Sequence, residues 1–143
     1  MQANTMTAAA IRAVLDKVAE GYATRNLDLL RNAFAPDPDV IMYGTGTDEK
    51  RVGMAEIETQ AQRDWSQTDT SEVRYGWMSI SVAGRVAWAA IDAAFALTVG
   101  DQELNLPARI TFVLEQRGDQ WLIVQAHFSL PAAGQEEGEA FPA

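Results

Sequence analysis

Ala87-Trp-Ala-Ala-Ile-Asp-Ala-Ala-Phe-Ala-Leu97 is the stretch on which the fold turns. Its alanines favour a helix on intrinsic propensity alone. Its flanks favour a strand. Ala83-Gly84 precedes it and Gly100-Asp101 follows it, and each pair is a tight hairpin signal. A third such pair, Gly118-Asp119, lies one strand length further on. The runs between these turns are rich in Val, Ile, Phe, Trp and Thr, the residues that fit a pleated sheet. The reading is therefore four consecutive antiparallel strands over residues 72–82, 86–99, 104–116 and 120–130. Such strands exceed the usual length of about five or six residues, which predicts a strongly twisted sheet bent by bulges. Small side chains in the second strand leave room for close helices or for a cavity.

Upstream of this meander the pattern changes to helical periodicity. Ile11, Val14, Leu15, Val18 and Tyr22 recur at spacings of three and four, with Arg12, Asp16, Lys17 and Glu20 on the opposite face. Thr5 or Thr7 is positioned to cap this helix, and Asn26 to cap a second one carrying Leu27, Leu30 and Phe34. Pro36 and Pro38 end the second helix. Val40-Ile-Met-Tyr43 reads as a short strand and Gly44-Thr-Gly-Thr-Asp-Glu49 as a turn. Met54, Ile57, Ala61 and Trp65 mark a third helix. Helices followed by an antiparallel meander give an α+β domain, with about three N-terminal helices covering one face of a curved sheet. The expected domain spans residues 7–131, between a disordered start (1–6) and a disordered acidic tail (132–143).

Composition narrows the chemistry. The 143 residues suffice for one domain with its own core. There is no cysteine, which removes disulfides and thiolate chemistry, and one histidine, His127, which removes a multi-histidine metal site. No metal or other cofactor is expected. The net charge of −9 disfavours nucleic acid and anionic membrane surfaces as partners. No signal peptide or membrane span is expected, so the expected location is the cytoplasm.

Two segments carry a resemblance. Gly44-Thr-Gly-Thr-Asp-Glu49 followed by Gly53 resembles the G-T-G-x-D-E…G stretch of one SnoaL-like branch of the nuclear transport factor 2-like superfamily. Arg109-Ile-Thr111, followed by Trp121-Leu-Ile-Val-Gln-Ala-His-Phe-Ser129, resembles the R-x-T…W-x-I…H-x-S ending of that branch. The ending is also similar to the association domain of calcium/calmodulin-dependent kinase II, although Gln125 stands where that domain carries the first histidine of V-H-x-H. The resemblance implies a cone-shaped, cystatin-like fold. One sheet face would line a cavity under the helices, and the other would pack against a second subunit. The superfamily hosts isomerases, cyclases, dehydratases, transport factors and assembly domains, so the fold does not choose among them.

Strand alternation then assigns candidate residues. In the last strand Trp121, Ile123, Gln125, His127 and Ser129 share one face, which is assigned to the cavity. Leu122, Val124, Ala126, Phe128 and Leu130 share the other, which is assigned to a homodimer interface. A bulge would shift this register. If Arg109 and Thr111 also face the cavity, His127 would act as acid or base and Arg109 would hold a carboxylate or an enolate oxygen, while Asp92 would orient His127, neutralise Arg109 or itself act as a base. Thr111 and Gln125 would add polar contacts, and Tyr43, Trp65, Tyr75 and Trp77 aromatic walls for an apolar carbonyl or carboxylate ligand. Each has a plainer reading. His127 can be a satisfied structural histidine, Arg109 and Asp92 a buried ion pair, Trp121 core, and Gly44-Thr-Gly a turn. The functional expectation is a small-molecule-binding domain with cofactor-free acid–base chemistry. Its alternative is a non-catalytic binding or oligomerisation module.

Overall fold

The computed structural model describes residues 1–143. Three helices, α1 (Thr5–Thr24), α2 (Leu27–Ala33) and α3 (Met54–Ser66), pack on one six-stranded sheet. Its strands are β1 (Ile41–Tyr43), β2 (Lys50–Val52), β3 (Thr70–Ala83), β4 (Val86–Val99), β5 (Gln102–Arg117) and β6 (Gln120–Ser129), in the order β2-β1-β6-β5-β4-β3. All neighbours are antiparallel except β1 and β6, so the sheet is mixed.

The alanine-rich stretch is strand β4, the full-length partner of both β3 and β5. Its helical propensity loses because both of its edges hydrogen-bond to long neighbours. The three hairpins close through Gly84, Gly100 and Gly118, each at φ near +60°. A glycine at the first central position of a two-residue turn is what a type II′ hairpin requires. Inward residues Ala87, Ala89, Ile91, Ile110, Phe112, Leu114, Ile123 and Ala126 form the sheet side of the core. Ile11, Val14, Leu15 and Val18 of α1 close it from above. At Gly21 an added Cβ would sit 3.1–3.2 Å from Leu29, Asn26 and Leu30, so glycine lets α2 fold back tightly against α1.

Two bulges decide which residues face inward. In β3 the register slips by one residue between Tyr75 and Met78, where Gly76 and Trp77 together stand opposite Asp92, and Trp77 is left 63% exposed. In β6 the register slips where Val113 and Leu114 pair with Gln125 and Ile123, leaving Val124 as the extra residue. Trp121 and Ile123 therefore point into the core, but beyond the bulge it is Ala126 and Phe128 that point inward. The uninterrupted alternation expected for this strand is thus corrected. Gln125 and His127 lie exposed on the outer face, and Ala126 and Phe128 do not belong to an outward interface.

Other expectations are adjusted at the edges. Lys50–Val52, absent from the sequence reading, forms a hairpin with β1. The start of the chain is ordered against edge strand β3, with Gln2 bridging Ser81 and Ala3 N–H donating to the Ile80 carbonyl at 3.0 Å. Asn4, rather than Thr5 or Thr7, caps α1 by accepting from the Thr7 amide at 2.8 Å. Asn26 caps α2 as expected. Residues 132–143 carry turns and no helix or strand. No helix is long and apolar enough to cross a membrane.

Candidate functional site

Between the helices and the inner sheet face lies a cavity of about 250 Å³. An apolar cavity of about 150 Å³ accommodates benzene, so this one has room for a larger ring system. Its walls are largely apolar and include Val18, Phe34, Ile57, Phe95, Leu106 and Phe128. Among its lining residues only Glu49 and Asp64 are charged, and both are acidic.

The polar side of the cavity is built from three elements. Tyr22 ends the apolar stripe of α1, and its phenol donates to Asp64 Oδ2 at 2.9 Å. Asp64 and Gln60 lie four residues apart on α3, so they share the face that also carries Ile57, Ala61 and Trp65. Gln60 is 4% exposed and fully bonded. Its Oε1 accepts from Arg51 Nε and Nη2 at 3.0 and 2.8 Å. Its Nε2 donates to Asp64 Oδ1 at 2.7 Å and to Glu49 Oε1 at 3.1 Å. Only this amide orientation satisfies a cation on one side and two carboxylates on the other. Arg51 comes from β2, so that short strand exists in part to orient Gln60.

The Gly44–Glu49 loop closes around the second carboxylate. Glu49 accepts from the Gly46 amide at 2.8 Å and from Arg63 Nη2 at 2.8 Å. A Cβ on Gly44 would sit 2.2 Å from Glu49 Oε2. The first glycine of this motif is therefore required by the folded-back carboxylate. Arg25, in a left-handed conformation, ties the α1–α2 turn to the carbonyls of Trp65, Thr68 and Asp69 at 2.8–2.9 Å. That latch holds Tyr22 against the end of α3.

The electrostatics of the pair follow from this setting. Burial raises the Asp64 carboxyl above the usual carboxylate range, and the donors Tyr22 and Gln60 oppose that shift. Burial, and then the negative charge of Asp64, raise the Tyr22 phenol well above its ordinary value. At neutral pH the phenol keeps its proton, so it acts as a donor.

The residues expected at the site lie elsewhere. Asp92, Arg109, Thr111, Gln125 and His127 are gathered together, but on the outer face of the sheet. Asp92 sits opposite Arg109, and His127 opposite Thr111. All five are exposed. Tyr43 is paired with His127 and stacks near it, with ring centroids 5.4 Å apart. Trp65 is core, its indole N–H donating to the Tyr22 carbonyl at 3.0 Å. Tyr75 donates to the Leu15 carbonyl at 2.8 Å, and Trp77 is in the β3 bulge. None of these residues lines the cavity. The cavity's polar groups Tyr22, Glu49, Gln60 and Asp64 were missed. The available signal was two polar residues, Gln60 and Asp64, each preceding an apolar one within the buried stripe of α3.

The sequence pattern of the SnoaL-like domain family matches residues 11–133, most of the chain. The chain belongs to the SnoaL-like domain family. Solved structures with the same fold span a range of assigned roles. A protein assigned as a calcium/calmodulin-dependent kinase II association domain, from Xanthomonas campestris, is 24% identical, with 86% of each chain covered and a TM-score of 0.74. A nuclear transport factor 2-like superfamily protein from Salmonella enterica serovar Typhimurium is 19% identical, covering 94% of this chain and 99% of its own, with a TM-score of 0.79. A protein assigned as a dehydratase of the nuclear transport factor 2-like family, from Streptomyces avermitilis, is 15% identical over 87% and 95% of the two chains, with a TM-score of 0.77. At these identities the likeness establishes the SnoaL-like fold and nothing finer. No curated protein matches the sequence.

Proposed function

We propose that this SnoaL-like domain binds an apolar small molecule in the cavity and performs cofactor-free acid–base chemistry on it. Asp64 is the base and Tyr22 the hydrogen-bond donor. The observation that carries this reading is the Tyr22–Asp64 hydrogen bond at 2.9 Å in the wall of a mostly apolar cavity. Burial makes Asp64 a stronger base than a surface carboxylate. A proton beside a substrate carbonyl passes to Asp64, and the electron pair moves onto the carbonyl oxygen. Once Asp64 is protonated, its hold on the Tyr22 hydroxyl weakens. That hydroxyl then turns to the developing oxyanion, a stabilisation present in the transition state and not in the resting site. Isomerisation, cyclisation and dehydration all begin with such a step. Structures of the same fold include proteins assigned as a dehydratase and as a ketosteroid isomerase, which agrees with this class of reaction.

The test is deuterium exchange into a panel of apolar ketones, followed by NMR. Exchange catalysed by the parent and lost in Asp64→Asn supports the reading. Saturable binding with no exchange by the parent would instead support the non-catalytic binding module. A homodimer through the outer sheet face is part of the same proposal. Half-buried Trp88, Val113 and Leu122 on that face favour it, and light scattering of the purified protein tests it.

A further inference from the structure

The donors and acceptors of the cavity constrain what enters it. Tyr22 spends its only O–H on Asp64. Both N–H groups of Gln60 go to Glu49 and Asp64, and its carbonyl is occupied by Arg51. Thr68 donates its hydroxyl to the Asp64 carbonyl at 2.9 Å. The remaining polar lining residues, Thr45 and Gln67, are exposed and belong to the rim. Away from the rim the lining side chains therefore offer acceptors, namely the Tyr22 phenol oxygen and the Asp64 and Glu49 carboxylates, and no free donor; the buried, unpartnered Ser71 hydroxyl near Tyr22 does not line the cavity.

Charge points the same way. Arg51 and Arg63 are the cations nearest this wall, and neither lines the cavity. Arg51 is committed to Gln60, and Arg63 to Asp48 and Glu49. Glu49 is thereby balanced by Arg63. Asp64 has two neutral donors and no salt-bridging cation. A buried carboxylate without a counter-ion is costly beside a second negative charge and is relieved by a donor or a cation. Aromatic Phe34, Phe95 and Phe128 in the same walls suit an apolar body and tolerate a cation near their faces.

We infer that the cavity takes apolar molecules whose polar group donates a hydrogen bond, a hydroxyl or a protonated amine, and that it rejects carboxylates. This inference rests on the cavity being the ligand site, as in the proposed function, and deepens it by fixing the ligand class. A β-hydroxy ketone satisfies both, since its hydroxyl meets the resting acceptors and its carbonyl meets Tyr22 only as Asp64 takes the proton.

The experiment is a titration at neutral pH with three compounds on one skeleton: 2-naphthylmethanol, 2-naphthylmethylamine and 2-naphthoate. Binding is followed by calorimetry or ligand-observed NMR. The alcohol and the amine should bind at least about tenfold more tightly than the carboxylate, the size of one lost charged hydrogen bond. An amine tighter than the alcohol assigns the selection to charge. Equal binding of the two assigns it to donor geometry, and both results support the inference. In Asp64→Asn the discrimination against naphthoate should shrink to within about threefold. The ranking in the parent alone decides the matter if that variant folds poorly. Naphthoate binding as tightly as the others in the parent overturns the ligand class. If Asp64→Asn still abolishes exchange in that case, the catalytic reading survives. No binding by any of the three overturns both.

Discussion

The two faces of strands β5 and β6 carry residues of opposite fate, although they alternate along the same backbone. On the inner face Ile110, Phe112, Ala126 and Phe128 meet helices and cavity. On the outer face of the single chain Arg109, Thr111, Gln125 and His127 are exposed. The outer face holds the residue types that look like chemistry, a histidine, an arginine and a nearby aspartate. The inner face holds the cavity, and its chemistry comes from the helices above. A polar residue in a strand is most often simply on the wet side of the sheet. A polar residue within the buried stripe of a helix, such as Gln60 or Asp64, has paid desolvation to be there and is the better signal of a site.

Substitutions at neighbouring positions test this contrast. Phe112→Ala should cost about 3–5 kcal/mol, because a fully buried aromatic leaves a cavity. Thr111→Ala, one residue away on the outer face, should cost under about 1 kcal/mol in urea unfolding. Comparable losses at the two positions would break the assignment of faces.

For activity, Asp64→Asn should reduce exchange or turnover by at least about 100-fold, the lower range for a general base. His127→Ala and Arg109→Ala should leave it within about twofold, since neither reaches the cavity. The reverse ranking, measured as kcat/KM on any responsive ketone, would move the site to the outer face.

Removal of the hub sharpens the description of the inner wall. Gln60→Leu leaves the partly buried Arg51, Glu49 and Asp64 each short of a partner. A loss of about 1–3 kcal/mol is expected. Gln62→Leu, two residues along the same helix and exposed, should change stability by less than about 0.5 kcal/mol.

The smallest effect is a pH dependence. Burial holds the Asp64 carboxyl above its unfolded value, so over that interval the folded chain keeps a proton the unfolded chain has released. Stability contributed by this group is thus complete below the ordinary carboxylate range and falls as pH rises through the raised value. The Asp64→Asn variant should lack that decline relative to the parent, in unfolding measured from about pH 4 to about pH 8. Parallel profiles would show that Asp64 is not desolvated. Asp37 and Asp48 are held low by Arg117 and Arg63 and contribute with the opposite sign, so the difference between the two proteins isolates Asp64.

Much of the fold was legible because its signals are local. The helical stripe of α1, the Asn26 cap, the prolines after α2 and the glycine turns each act through a few neighbouring residues. Even the alanine-rich β4 could be read from its two flanking turns. The Gly44-Thr-Gly-Thr-Asp-Glu49 motif was recognisable, but its reason was not. The glycines make room for Glu49, whose partners Gln60 and Arg63 lie on another element.

The sequence by itself determined the α+β architecture, the family, and the absence of cysteine and multi-histidine chemistry. Tertiary structure decided the site, for one physical reason. Side chains in a strand alternate with a period of two, so the single extra residue Val124 sends everything after it to the opposite face. That bulge turned His127 outward and Phe128 inward. The folding of α3 across the sheet then brought Gln60 and Asp64 to Tyr22 of α1 at the cavity, a meeting between residues 38 and 42 positions apart that no local pattern encodes.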